Sequence, residues 1–304
     1  MRIAKSHLNR GISVNGVSKK LRGSLFLLGA AMIWGCAFTA QSVAADSIGP
    51  WTFNGIRFLL GGAEILLLAK PLERWVSLPK RNNQKGLVKT GILCGVILII
   101  ASVLQQAGIR WTTAGKAGFI TSLYVVLVPV FAAVFLRQKV KLHVWISALL
   151  AVIALYLLSG AENGSIGIGE LLELLCAAAF AVHILVVDRV VKDLDPIRFS
   201  GIQFLCAGVI GMIGAVLFER IDPAGIWKAA VPILYAGLLS AGLGYTLQAI
   251  GQKDADPAAA SVLLSLESVF SAVFGFLLLH EVLSVRELCG CALMFAAVLL
   301  SQKQ

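Results

Sequence analysis

Pro50-Trp51-Thr52-Phe53-Asn54-Gly55-Ile56-Arg57-Phe58-Leu59 opens one apolar run of this chain, and Pro196-Ile197-Arg198-Phe199-Ser200-Gly201-Ile202-Gln203-Phe204-Leu205 opens another. Pro, Gly, Ile, Phe and Leu recur in register between the two. Further along, Leu104-Gln105 with Gly108 is echoed by Leu247-Gln248 with Gly251, and Leu157-Leu158-Ser159 by Leu299-Leu300-Ser301. Correspondences spread this widely are the mark of an internal duplication.

The duplicated stretches sit among ten apolar runs, at 23–44, 50–69, 87–109, 115–136, 142–159, 168–190, 196–218, 229–250, 257–279 and 284–301. Each is near the ~20 residues that a helix needs to cross a bilayer. The chain is 58% apolar and 14% charged, with a mean hydropathy of +0.87. A water-soluble protein carries about 25% charged residues. Short alternating segments of the kind that build membrane β-barrels are absent from the sequence. The reading is an all-α membrane protein: ten transmembrane helices, the first five repeated as the last five. An odd number of helices per copy inserts the two copies in opposite senses, giving inverted repeats with a binding site expected near mid-membrane between them. The boundaries are 1–22 for a basic cytosolic tail, 23–160 for the first repeat and 166–302 for the second. The first apolar run is longer than a secretory leader's and nine more follow it, so it reads as a retained helix.

Charge placement sets the orientation. Of the 26 Lys and Arg residues, twenty fall in segments on the same side as the N-terminus and five on the other, with Arg57 inside a run. Cations accumulate on the cytoplasmic face, so both termini are expected inside. The net charge of +10 is spread over short loops and forms no basic, aromatic-interleaved face, which argues against nucleic acid. The cysteines Cys36, Cys94, Cys176, Cys206, Cys289 and Cys291 all lie in apolar runs without CxxC spacing. They read as small apolar side chains and imply neither disulfides nor metal. No cofactor is expected.

The sequence resembles the EamA family of the drug/metabolite transporter superfamily over about residues 20–302. The carriers are Trp34-Gly35, Arg57-Phe58 and Pro129-Val130-Phe131-Ala132-Ala133 in the first copy, and Leu266-Glu267-Ser268-Val269-Phe270 and Leu279-His280-Glu281 in the second. Ser268 and His280 stand where the family often has Pro and Gly, and Gln138-Lys139 where it has a Gly-Glu pair. The resemblance implies export of small polar metabolites, amino acids among them. It also implies that helices 5 and 10 lie outside while helices 1, 3, 4, 6, 8 and 9 surround a central cavity.

Polar groups within membrane runs are costly unless they face protein or water, and are therefore the candidates for function. Trp34, Phe38 and Gln41 share one face of helix 1, and Cys176, Phe180 and His183 have the same spacing on helix 6. Two such aromatic faces either wall a substrate cavity or pack helices together. Gln105, Gln106 and Gln248 both donate and accept, which suits a zwitterion, and equally suits bonds between helices. Tyr124 and Tyr245 lie well inside their runs. Glu267, beside Ser265 and Ser268, is open to three readings: proton coupling, contact with a ligand ammonium, or a structural acid. Arg57 reads as mainly structural, its guanidinium snorkelling outward or finding a partner. Lys116 and Glu170 are expected to reach headgroups.

These observations favour a secondary transporter of the bacterial plasma membrane that exports a small-molecule solute by alternating access. A flippase for a lipid-linked substrate shares such a fold. A membrane-embedded enzyme would need paired carboxylates, HExxH or a Ser–His arrangement at membrane depth; none of these patterns occurs. Nor does the sequence carry a GxxxxGK[ST] segment for nucleotide-driven transport.

Overall fold

A computed structural model describes residues 19–76, 86–112, 114–158, 167–279 and 284–301. The basic tail before Lys19, most of the 80–89 basic loop, the Lys116 side chain, Ser159 and the His280-Glu281 pair lie outside the described residues. In chain order the helices are α1 (Lys19–Ala45), α2 (Pro50–Leu67), α3 (Ala69–Val76), α4 (Leu87–Gly108), α5 (Ala114–Thr121), α6 (Tyr124–Phe135) and α7 (Leu142–Leu158). They continue with α8 (Ile168–Val191), α9 (Pro196–Phe218), α10 (Pro223–Lys228), α11 (Ala230–Leu234), a π-helical segment Tyr235–Gly244, α12 (Tyr245–Gln252), α13 (Pro257–Leu264), α14 (Glu267–Leu279) and α15 (Val285–Ser301). No strand occurs among the described residues.

Among the described residues, seven helices are long and apolar enough to cross a membrane: Lys20–Ala45, Leu87–Gly108, Ala117–Phe135, Ile168–Val191, Pro196–Phe218, Ala230–Gln252 and Pro257–Phe274. The other three predicted runs hold the shorter helices α2, α7 and α15, of 18, 17 and 17 residues. The apolar core is ordinary, but the placement of polar groups and of large exposed apolar side chains is not that of a water-soluble protein. Gln106, Glu173, His183 and Ser265 are fully buried, while Leu67, Phe135, Val216, Phe218, Val231 and Leu299 are largely exposed. Large apolar side chains left facing outward, with costly polar groups kept inside among an apolar core, are what a hydrocarbon solvent selects. Trp111 and Trp227, also exposed, are of the type that settles at the headgroup level.

Two runs expected as single helices are interrupted midway. Between α5 and α6 the pattern tightens to i→i+3 bonds, Leu123 N to Ile120 O at 3.1 Å and Val125 N to Ser122 O at 3.0 Å. Between α13 and α14 the same happens, with Leu266 N to Leu263 O and Ser268 N to Ser265 O, both 3.2 Å. A one-turn tightening re-aims the residues beside it. Here it swings Thr121, Tyr124 and Glu267 inward. A third irregularity, the π-helical segment, contains three glycines, Gly237, Gly242 and Gly244. Wide turns of this kind are frequent at functional sites.

The bundle is built on the crossing of α2 and α9. A Cβ at Gly208 would lie 2.7 Å from Leu59 N, and one at Gly62 would lie 2.9 Å from Leu205 N. Only glycine lets the two backbones come this close, as small residues commonly do between membrane helices. The N-terminus of α2 follows Gly49, which has no side chain to cap it. Glu219, just past the end of α9, supplies the missing acceptors: Oε1 takes Trp51 N at 2.8 Å, and Oε2 takes Thr52 N at 2.9 Å and Thr52 Oγ1 at 2.7 Å. A carboxylate against the positive end of a helix stabilises it. The helix α9 is instead capped locally, Asp195 Oδ1 accepting from Ile197 N and Arg198 N. The helices α7 and α15 pack chiefly on each other.

Candidate functional site

Where α1, α2, α4, α5, α6, α8, the π-helical segment, α12 and α14 converge, they leave a cavity of about 470 Å³, counting the open space at its mouth. Helix α1 contributes Trp34, Ala37, Phe38 and Gln41; α8 contributes Phe180 and Ile184. Arg57 comes from α2, Gln105 from α4, Thr121 from α5 and Tyr124 from α6. Ser240 comes from the π-helical segment, Tyr245 and Gln248 from α12, and Glu267 from α14. No lining residue comes from α7 or α15.

Of the candidates named from the sequence, Trp34, Phe38, Gln41, Gln105, Tyr124, Phe180, Tyr245, Gln248 and Glu267 line this space. His183 does not. It is completely buried beside the wall, its Nε2 3.0 Å from Gln203 Oε1 and its ring edge-on to Tyr245 at 6.0 Å. Ser265 also falls outside; its hydroxyl donates to Val262 O at 2.7 Å and lies 3.4 Å from Met294 Sδ. Cys176 is core. Gln106 donates to Gln41 O at 2.9 Å and so ties α4 to α1. Of the spaced set on α8 only Phe180 meets the cavity, because that helix is buried on several faces and periodicity alone does not say which face does so.

An aromatic cluster forms one wall. Tyr245 stands 4.6 Å from the Trp34 ring, 5.9 Å from Phe204 and 6.3 Å from Phe58. Separations of this order are favourable for tilted rings and hold them rigid. Trp34 is pinned further, because its Nε1 donates to Ser240 O at 3.2 Å.

Glu267 forms the acidic corner. Its Oε1 accepts from Tyr124 Oη at 3.0 Å and from Ser122 Oγ at 3.2 Å, and Ser122 Oγ is 3.0 Å from Ser268 Oγ. The break between α5 and α6 thus supplies both donors. The same break engages a second buried acid, one that the sequence reading passed over. Thr121 Oγ1 donates to Glu173 Oε2 at 2.7 Å and is 3.5 Å from Gln105 Nε2. Glu173 lies within an apolar run and satisfies the same criterion that selected Glu267; applied evenly, it would have been found.

Arg57 departs most from expectation. It does not snorkel: only 2% of it is exposed, and it lines the cavity. Its guanidinium carbon sits 4.6 Å from the Phe58 ring centroid and 5.2 Å from that of Phe53. Placing an Arg in a membrane interior costs about 2.5–3.5 kcal/mol on insertion scales. A desolvated cation–π contact returns about 2 kcal/mol, so two ring faces suffice to hold the charge. Ring faces do not accept the N–H groups, and Nε and Nη2 have no hydrogen-bond partner. The Glu64 carboxyl, seven residues further along α2, is also unengaged at Oε2. Among the described residues no group of three or more His, Cys, Asp or Glu is arranged to hold a metal.

The fold and much of this sequence have known counterparts. The chain is 29% identical over 286 residues to a protein named uncharacterized transporter from Archaeoglobus fulgidus, covering 93% of this chain and 86% of that one. It is 29% identical to uncharacterized transporter YwfM of Bacillus subtilis (91% and 92% covered) and 23% identical to YoaV of the same organism (91% and 95%). A solved crystal structure superposes with a TM-score of 0.74 at 19% identity, over 92% of this chain and 96% of that one. The family model described as EamA-like transporter family matches residues 21–160 and again 167–302. With several apolar helices and transporter relatives the protein is a multi-pass membrane protein and not an enzyme; the chain belongs to the EamA-like transporter family.

Proposed function

We propose that this protein is a secondary transporter that exports amino acids or related small polar metabolites across the bacterial plasma membrane. It works by alternating access, through ten spans arranged as two inverted five-helix repeats with both termini in the cytoplasm. The observation that carries the reading is the cavity itself. It is lined by helices from both halves, walled by Trp34, Tyr245 and Phe180, and furnished with amides (Gln41, Gln105, Gln248), a cation (Arg57) and an acid (Glu267). Apolar walls with a few convergent polar groups are the usual form of a small-molecule site.

Reciprocal contacts support the repeat arrangement. The alignment that sets Pro50 on Pro196 also sets Leu59 on Leu205 and Gly62 on Gly208; Gly62 meets Leu205 while Gly208 meets Leu59. It sets Gly55 on Gly201 and Leu66 on Met212; Gly55 meets Met212 while Gly201 meets Leu66. It sets Thr52 on Arg198 and Glu73 on Glu219; Glu219 binds Thr52 while Arg198 Nε binds Glu73 at 2.8 Å. Three crossed pairs of this kind are what a twofold axis through the α2–α9 crossing generates. Inverted repeats of secondary transporters rock about such an axis, exposing the shared site to each side in turn.

The test is counterflow. Proteoliposomes loaded with a mixture of amino acids should accumulate at least one labelled amino acid from outside, without ATP. Absence of exchange across amino acids, amines and small organic acids, in vesicles shown to hold folded protein, refutes the proposal.

A further inference from the structure

Arg57 carries two buried guanidinium nitrogens, Nε and Nη2, with no acceptor at the edge of a cavity, and that is an unusual thing for a folded chain to leave in place. A guanidinium is a fixed fork whose best partner is a planar pair of oxygens. Resting on the transporter reading, we propose that Arg57 anchors the solute and that the solute carries a carboxylate.

Three observations converge on this. First, the acids nearby do not serve Arg57. Neither ion pair among the described residues includes it, and Glu267 Oε1 is occupied by Tyr124 and Ser122. Second, the charge is supported without being neutralised: Phe53 and Phe58 face the cation and leave its in-plane donors free. Third, the position in the second half that matches Arg57 is Gln203, and its side chain is engaged by His183 at 3.0 Å. Of two corresponding positions, one is satisfied inside the protein and the other is left open toward the cavity. A group that only packed helices would have a partner in both halves.

Charge arithmetic within the cavity narrows the class. One cation and one carboxyl line the same space. A phosphate dianion would meet a single Arg and leave one of its charges unmatched, whereas a carboxylate needs only one fork. A solute with an ammonium at its other end gains at Glu267 as well. The aromatic wall suits a solute with an apolar side group between the two.

The test uses the purified full-length protein in detergent and its melting temperature as the measure of binding. The probes are the proteinogenic amino acids, each beside its amide and its decarboxylated amine, with simple monocarboxylates and inorganic phosphate. Loss of a charge-assisted bond to a buried group weakens binding about tenfold or more. The expected result is that one or more carboxylates raise the melting temperature and their amides need at least about ten times the concentration for the same shift. In Arg57→Gln the acid and its amide should become equivalent, and Arg57→Lys, which keeps the charge without the fork, should retain only part of the preference. The acid–amide comparison is made on the wild type, so it stands even if those variants do not fold. Amides or amines as effective as acids, phosphate preferred over every carboxylate, or no carboxylate effective at all would each overturn the proposal. Exchange of amines alone in proteoliposomes would keep the transporter reading and remove this one. Carboxylates that bind but are not exchanged would do the reverse.

Discussion

Replacing Gly208 by Ala adds one methyl group at the point where α2 and α9 are nearest. That carbon would lie 2.7 Å from Leu59 N, 2.8 Å from Leu59 Cγ and 2.9 Å from Leu59 Cδ2. Carbon atoms rest at about 3.5–4.0 Å, so the helices must part by roughly 1 Å. The side-chain atoms can rotate away, but the backbone nitrogen cannot. Overpacking of this degree costs about 1–3 kcal/mol. Gly62→Ala meets Leu205 with 2.8, 2.9 and 3.0 Å contacts and should cost about as much. The two sites press on the same pair of rigid helices. Once one substitution has separated them, the second meets less resistance, so the double variant should lose clearly less than the sum of the singles. Gly118→Ala is the control, because its Cβ would meet nothing nearer than the Phe38 ring at 3.8 Å. The assay is heating of detergent-solubilised protein, followed by the monodisperse fraction on size exclusion. Both single variants should melt several degrees below wild type and Gly118→Ala within about one degree, by the scaling of melting temperature with stability. Wild-type melting for Gly208→Ala, or full additivity in the double variant, would show that the close crossing does not hold the bundle as argued.

Three other outcomes are expected. In a cysteine-free background, an impermeant maleimide applied to intact cells should label Asp46→Cys, at the exposed end of α1, and spare Asp193→Cys; the opposite pattern reverses the orientation. Trp34→Ala and Phe180→Ala should each lower exchange at least several-fold at normal membrane abundance, since both remove cavity wall; wild-type rates in both would reduce the aromatic faces to packing. Glu267→Gln keeps an oxygen that can accept from Tyr124 and Ser122, so folding should be preserved while the ionisable carboxyl is lost. Measured against an imposed pH gradient, loss of gradient dependence assigns Glu267 to proton coupling, and weaker apparent affinity with the dependence intact assigns it to the solute's ammonium. Unchanged values for both would remove it from the site.

Most of the cavity was legible because the rule that found it is severe. A polar side chain in an apolar run has few places to go, so Gln41, Gln105, Tyr124, Tyr245, Gln248 and Glu267 could be picked out by depth alone. The rule says that a group must be satisfied; it does not say by what. His183 obeys it by pairing with Gln203, Ser265 by turning back on its own helix, and Gln106 by reaching the α1 backbone. None of the three needs the cavity. The features that do the aiming were invisible for a different reason. The tightened turns at Ser122 and Ser265 and the wide turns from Tyr235 to Gly244 have no strong local signature, since serine, leucine and glycine fill ordinary membrane helices too.

Arg57 shows where sequence depth and structure part company. At about 10 Å along its helix a long cationic side chain can reach the headgroups, and the economical expectation was that it does. That expectation assumes the residue faces lipid. The α2–α9 crossing removes the option, because glycines on both helices bring the backbones together and leave α2 enclosed around Phe53, Phe58 and Arg57, none more than 2% exposed. The duplicated sequence held the clue all along: Arg57 and Gln203 occupy corresponding places, and a charge stands in one copy where an amide stands in the other. Where two halves share a fold, the places where they differ are where a symmetric scaffold can hold an asymmetric solute.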